Sequence, residues 1–236
     1  MTRHTSNPTI ALARLGPQHR RGLVLWLAVA ALLSASAVGI AAWAGGEGPG
    51  AADLRVSLAT LGWPVAALAG AAMAAADYRD RLLWSNALLQ PNRGLLVAVR
   101  VGQGALAGAL TGAVMAAAPI VGHLVTAATP VPTARELALV IGFSALAGGV
   151  GSALVIACAD HVAAIVIIAA YAMLGEGLLG GFLGPTLEAY LPGSALRDAL
   201  TGQGGMATWF IWPTLTAIAV AAAMAWGLGW ITWGRV

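Results

Sequence analysis

The chain has 236 residues, 59% of them hydrophobic and only 9% charged, with a mean hydropathy of +0.83. Soluble domains carry about 25% charged residues, so the composition points to an integral membrane protein. Its formal charge of +3 is the balance of 12 arginines, with no lysine, against 9 acids. The arginines are scattered between apolar runs and form no basic face, which argues against nucleic acid as a partner. The missing lysine excludes a Walker A phosphate loop and Schiff-base chemistry. Cys158 is the only cysteine, so an internal disulfide and a CxxC metal or redox site are excluded as well. The lysine-free, Ala/Gly/Arg-rich usage fits a GC-rich bacterial genome.

Residues 1–21 are polar, with Arg3, Arg14, Arg20 and Arg21, and Thr9–Arg14 reads as a short surface helix broken by Gly16-Pro17. The apolar run Leu23–Ala44 is too long for a signal-peptide core of about 7–15 residues, and is read as the first span. Further spans are expected over 56–76, 101–125, 137–159, 162–182 and 209–231, each near the roughly 20 residues that cross a bilayer. The predicted fold class is therefore an all-α membrane protein with six transmembrane helices. It divides into an N-terminal cytoplasmic segment, 1–21, and one six-helix domain, 22–236.

Orientation follows from arginine. With the N-terminus inside, the cytoplasmic segments hold Arg3, Arg14, Arg20, Arg21, Arg79, Arg81, Arg93, Arg100 and Arg235, and the outside holds Arg55, Arg135 and Arg197. The positive-inside rule places both termini in the cytoplasm. On the sixth span Trp209 and Trp212 mark one interface, and Trp226, Trp230 and Trp233 the other; Trp212 to Trp230 spans about 27 Å of helix.

Small residues recur at four-residue spacing: Gly104, Gly108 and Gly112 on the third span, Gly177 and Gly181 on the fifth, and Gly148 with Ser152 on the fourth. Such rows let helix backbones approach closely in lipid. With 31 glycines in the chain, abundance alone is the competing explanation.

Enzyme signatures are missing. Ser144 and Ser152 lack the GxSG form of an intramembrane serine protease, no HExxH is present, and no second acidic cluster accompanies Asp77 and Asp80. Glu176 is the one acid well inside a span. An intramembrane carboxyl is a functional-site candidate, although the glycine-rich run around it can bring water near. Gln103 and Trp212 are further candidates for a substrate path. Asp160-His161 is either a tight turn and nothing more, or a contact for a cytoplasmic partner. In the segment 184–203, Pro185 can begin a helical turn that Pro192-Gly193 ends, and Ser194 can cap a second turn through Arg197 to Leu200, giving an outer two-part hairpin or a plain loop.

The longest polar interruption is Asp77–Arg100. Asp77 and Arg81 stand at i,i+4; Arg79, Trp84 and the leucines 82, 83, 88 and 89 suit an interfacial helix, but Asn86 and Gln90 fall on its leucine-rich side. That mixed face suits a helix with a protein neighbour better than one resting on lipid. Pro91 ends it, and Asn92 can cap the third span.

This pattern resembles the ABC-2 type exporter permeases: Asp77-Tyr78-Arg79 at the end of span two, a leucine-rich short helix, then Pro91-Asn92-Arg93 leading to Leu95-Leu96. The chain departs from the family in two places. Asp80-Arg81-Leu82 stands where Glu-x-x-x-Gly-Thr is usual, and Arg100 stands where lysine often occurs. The resemblance implies a compact permease subunit in the bacterial cell membrane, similar to those of bacitracin and lantibiotic resistance. It would pair with a second permease copy, contact membrane lipid and be driven by separate ATPase subunits that bind ATP and Mg. It implies a coupling helix over 77–90 and a smaller contact at Asp160-His161. A coupling set of Asp77, Arg79, Asp80, Arg81, Trp84, Asn86, Gln90, Pro91, Arg93, Asp160 and His161 follows. The chain itself would be no enzyme and would hold no metal. The competing expectation is a self-contained secondary transporter or channel built on Glu176.

Overall fold

The computed structural model describes residues 17–43, 50–79, 93–126, 131–175, 178, 181–182, 188 and 191–202. Regular structure among them is entirely helical: α1 (Pro17–Trp43), α2 (Gly50–Arg79), α3 (Arg93–Thr126), α4 (Ala134–Cys158), α5 (His161–Ala170) and α6 (Pro192–Thr201). A π turn over Tyr171–Gly175 continues α5 directly. Two stretches, Gly94–Val121 and Ala134–Cys158, are long and apolar enough to cross a membrane. Shorter apolar helical stretches lie at Arg21–Ala35, Gly62–Ala76 and His161–Ala170. The sixth expected span and the surface helix at 9–14 lie outside the described residues.

The helices outrun the apolar stretches that announced them. α2 runs through Arg55 and Asp77, α3 opens at Arg93 and passes Arg100, and α4 begins three residues before the expected Leu137. Hydropathy marks where side chains stop being apolar, but the i→i−4 backbone bonds continue while the chain remains compatible with them. α4 starts where a capping box forms: Thr133 Oγ1 accepts from the Glu136 amide at 3.3 Å, and Glu136 Oε2 accepts from the Thr133 amide at 2.8 Å. Pro64 lies inside α2 and Pro119 inside α3.

Three helices, α2, α3 and α4, make the centre, and glycine decides how near they come. A methyl group on Gly70 would overlap the Gly148 carbonyl oxygen and stand 2.7 Å from the Gly148 Cα. One on Gly104 would overlap Ser152 Oγ, and one on Gly108 would overlap the Ser144 carbonyl. One on Gly151 would overlap the Ala67 carbonyl. In every case but Gly104–Ser152 the obstructing atom is backbone, which has no rotamer to retreat into. Ser152 Oγ then donates to the Gly70 carbonyl at 2.7 Å, so the closest helix crossing also carries a buried hydrogen bond. Bonds of this kind are worth about 0.6–2 kcal/mol between helices in a membrane. Around this junction α2 and α5 bury Trp63, Ala67, Ala71, Ala74, Ala164 and Ile168 against Val155 of α4. α1 joins through Ala30, packed with Met115 and Ala118 of α3.

The small-residue row on α3 thus has a specific partner surface in α4, Ser144, Gly148 and Ser152, with α2 closing the third side through Gly70 and Ala67. Gly181 is different. It is exposed, and among the described residues nothing lies within 4 Å of the position its Cβ would take; Gly177 is outside the described residues.

Candidate functional site

The inter-helix contacts fix which helix ends lie together. Gly62 of α2 faces Ser144 of α4, and eight residues later Gly70 faces Gly148 and Ser152, so α2 and α4 run parallel. Gly104 faces Ser152 while Gly112 faces Ser144 and Val140, so α3 runs against both. α4 and α5 are joined by Ala159-Asp160 alone. The C-terminus of α2, the N-terminus of α3, the C-terminus of α4 and the N-terminus of α5 therefore share one end of the bundle. Asp77 and Arg79 occupy the last turn of α2, Arg93 is the first residue of α3, and Asp160 and His161 open α5. These five come to one end from three separate stretches of sequence. The rest of the predicted set on the linking segment, Asp80, Arg81, Trp84, Asn86, Gln90 and Pro91, lies outside the described residues.

The Ala159-Asp160 turn is tightly specified. Ala159 closes α4 in the left-handed region, at φ 51° and ψ 15°, a conformation that disfavours any residue with a Cβ by about 1–2 kcal/mol. Asp160 is extended, and its Oδ1 accepts from the amides of Val162 at 2.8 Å and Ala163 at 3.5 Å, capping α5. Asp160 is exposed and His161 half-buried. Capping uses one carboxylate oxygen and leaves the exposed side chain reachable from beyond the bundle. The turn is thus a structural cap with an exposed carboxylate.

Just inside this end, Arg100 Nη1 donates to Gln103 Oε1 at 2.8 Å, one turn along α3. Gln103 is only 4% exposed, and among the described residues its Nε2 has no hydrogen-bond partner. Its carbonyl oxygen is thus satisfied within its own helix. The other substrate-path candidates, Glu176 and Trp212, lie outside the described residues. Among the described residues no group of three or more His, Cys, Asp or Glu side chains could hold a metal ion.

α6 sits at the opposite end. Leu196 packs with Ala116 of α3 and Val140 of α4, flanked by Leu137, Phe143 and Leu200. The helix buries Pro192, Gly193, Ala195, Leu196 and Ala199 and leaves Arg197 and Thr201 exposed. Its start corrects the sequence expectation. A turn closed by the Leu191 N–H on the Glu188 carbonyl at 2.9 Å ends just before Pro192, and Pro192 is itself the first residue of the next helix, where its missing N–H is no loss. Leu191 occupies the cap position without a side-chain bond, and Ser194 is inside the helix rather than capping it. Gly202 closes it at φ 77°.

No family model matches the chain. Comparison with curated proteins and with solved structures finds no match either. What the molecule does must therefore be argued from its own geometry.

Three features escaped the reading by hydropathy and spacing. Gly70 and Gly151 were passed over because the small residues spaced four apart from them, Ala66 and Ala74 for Gly70 and Ala147 for Gly151, are alanines, although both glycines belong to the helix junction. The left-handed Ala159 has no sequence signal, since glycine or asparagine is the usual mark of that conformation. The π turn after α5 has none either.

Proposed function

We propose that this chain is the membrane-spanning permease subunit of an ATP-binding cassette exporter of the ABC-2 type. It crosses the bacterial cell membrane six times with both termini in the cytoplasm, and pairs with a second permease copy. It is driven by separate ATPase subunits, which bind ATP and Mg. The observation that carries this reading is the meeting, at one end of the bundle, of the Asp77–Arg79 helix terminus, the Arg93 helix start and the Asp160-His161 turn. Nine of the 12 arginines fall on the side assigned to that end, as the positive-inside rule requires of a cytoplasmic face. The segment that links α2 to α3 carries leucine and tryptophan among its charges, the mixture expected of a helix that seats in another protein.

In this mechanism the chain hydrolyses nothing. Closure of the ATPase pair displaces the 77–90 segment and the Asp160-His161 turn together. The displacement passes into α2 and α4, which are locked to each other by the Gly70–Gly148 approach and the Ser152 bond. The substrate is amphipathic, of peptide-antibiotic or lipid type, and leaves the membrane between two protomers. α6, amphipathic and docked at the far end, is the outer cover.

The reading is tested with photo-crosslinking residues introduced at position 81 and at position 161 of the full chain in its native membranes. Both should capture the same polypeptide, and that polypeptide should label with a reactive ATP analogue. Capture of different proteins at the two positions, or of one that binds no nucleotide, would reject it.

A further inference from the structure

Two helices of the bundle break their regularity at the same level. In α2 the break is Pro64, which supplies no N–H to the carbonyl of Thr60 and crowds it. In α5 the break is the π turn Tyr171–Gly175, where the i→i−4 ladder gives way and the Tyr171 amide is shared between the Ile167 and Ile168 carbonyls. Sharp bends in helices come almost always from proline or from π bulges, and π bulges occur frequently at functional positions. That the two breaks face each other follows from the rings beside them. Trp63 and Tyr171 meet edge to face, with centroids 5.6 Å apart and planes at 66°.

Packing changes character across this level. On the inner side α2 and α5 are sealed against α4: Ala67, Ala71, Ala74, Val155, Ala164 and Ile168 are all buried, and Gly70 and Gly151 put backbone against backbone. At and beyond the π turn, Leu174, Leu178 and Phe182 are 59%, 56% and 85% exposed. At the break in α2, a methyl group on Gly62 would make ordinary contacts with side chains, 3.4 Å from Met115 Sδ and 3.9 Å from Ser144 Oγ, rather than clash with backbone. Among the described residues, backbone-to-backbone approach between α2 and α4 is confined to the inner half, at Ala67–Ala71, whereas at Gly62 α2 meets its neighbours through side chains; α6 also touches α2.

We propose that Trp63-Pro64 and the π turn Tyr171–Gly175 are one hinge. About it the outer half of α2, Gly50–Leu61, tilts relative to an inner half held rigid by α4. Because each helix has already given up regular bonding at this level, the tilt breaks no further backbone bond. The edge-to-face ring contact lets the two helices pivot without separating. The hinge deepens the transport reading, since it names where such a permease bends, and its test needs no ATPase.

The test uses the full chain in lipid nanodiscs and pulsed dipolar distances between spin labels. The outer pair is Ser57→Cys with Ala138→Cys in a Cys158→Ser background. The inner pair is native Cys158 with Tyr78→Cys. The outer distance distribution should be broader than the inner one. Pro64→Ala, which restores the missing N–H, should narrow the outer distribution and leave the inner pair unchanged. An outer pair as narrow as the inner pair overturns the hinge, and so does an outer width that Pro64→Ala leaves as it was in a protein whose inner distance is native. Should Pro64→Ala fail to fold, Trp63→Leu decides: loss of the ring contact should broaden the outer pair alone, and an unchanged outer pair overturns the proposal. A chain with this pattern that recruits no ATPase keeps the hinge and loses the transport reading. A rigid outer pair in a chain that does recruit one loses only the hinge.

Discussion

Replacing Gly148 by alanine tests the three-helix junction most sharply. The new methyl group would overlap the Gly104 carbonyl oxygen and stand 2.8 Å from the Gly108 Cα and 2.9 Å from the Gly108 nitrogen. Comfortable carbon contacts lie at about 3.5–4.0 Å, so α3 must move away from α4 by roughly half an ångström or more. All three obstructing atoms are backbone, so the whole helix has to shift, and the Ser152 bond to Gly70 beside it is put at risk. Overpacking of this kind costs about 1–3 kcal/mol. Against it stands the gain from removing a helical glycine, about 1 kcal/mol. With three backbone clashes at one site the upper part of the overpacking range applies, and the net loss should be about 2 kcal/mol. For a chain of this size that lowers the thermal midpoint by about 4–8 °C. The control is Gly142→Ala on the same helix, exposed and with nothing within 4 Å of the new methyl group; it should be neutral or stabilising by up to about 1 kcal/mol. Thermal unfolding of both variants in the same nanodiscs, followed by tryptophan fluorescence, gives the comparison. Equal midpoints for the two would show that the glycines do not set the helix spacing, and the junction described above would be wrong.

Ser152→Ala should lose about 1 kcal/mol in the same assay, since it removes the donor to the Gly70 carbonyl and leaves that oxygen without its partner. Ala159→Gly should raise stability by up to about 1 kcal/mol, because glycine accepts the left-handed backbone that Ala159 is forced into. Asp160→Ala should destabilise by about 1 kcal/mol through loss of the α5 cap, while Asp160→Asn should keep most of it; denaturation midpoints of the two variants make the check.

How much of this was legible beforehand depends on the kind of signal. The apolar runs announced α1 to α5, because in lipid every backbone group must be satisfied within the segment. The row Gly104, Gly108, Gly112 announced a packing face, and Gly148 with Ser152 announced its partner. Span ends drawn by hydropathy fell short because charge was taken as the stopping signal; Arg100 and Arg135 are inside helices, whereas reading Asn92 as a cap had already pointed to a start at Arg93. Capping chemistry was the better guide, as Thr133 with Glu136 shows. Pro192 was read as a terminator, yet at a first helical position it begins a helix just as readily. The arginine count had already put Asp77–Arg100 and Asp160-His161 on one side of the chain, but which helix positions meet there could not be read from sequence. It depends on the register between α2 and α4, and that register is set by the fit of Gly70 and Gly151 against a neighbour far away in the chain.

If the proposed docking end and the proposed hinge both hold, they would make one mechanical scheme. Force entering at Asp77–Arg79 and Asp160-His161 would meet an inner block whose helices touch through backbone atoms. Motion would then emerge at Pro64 and Tyr171, since a stiff inner block transmits a displacement that a uniformly flexible bundle would dissipate.

The measurement closest to the central claim is ATP hydrolysis in complexes purified from native membranes through a tag on this chain. The wild-type eluate should hydrolyse ATP, although this lysine-free chain has no Walker A loop. The Arg79→Glu/Arg81→Glu double variant should elute folded and without activity. A wild-type chain that transports after purification with no nucleotide-hydrolysing partner would contradict the account.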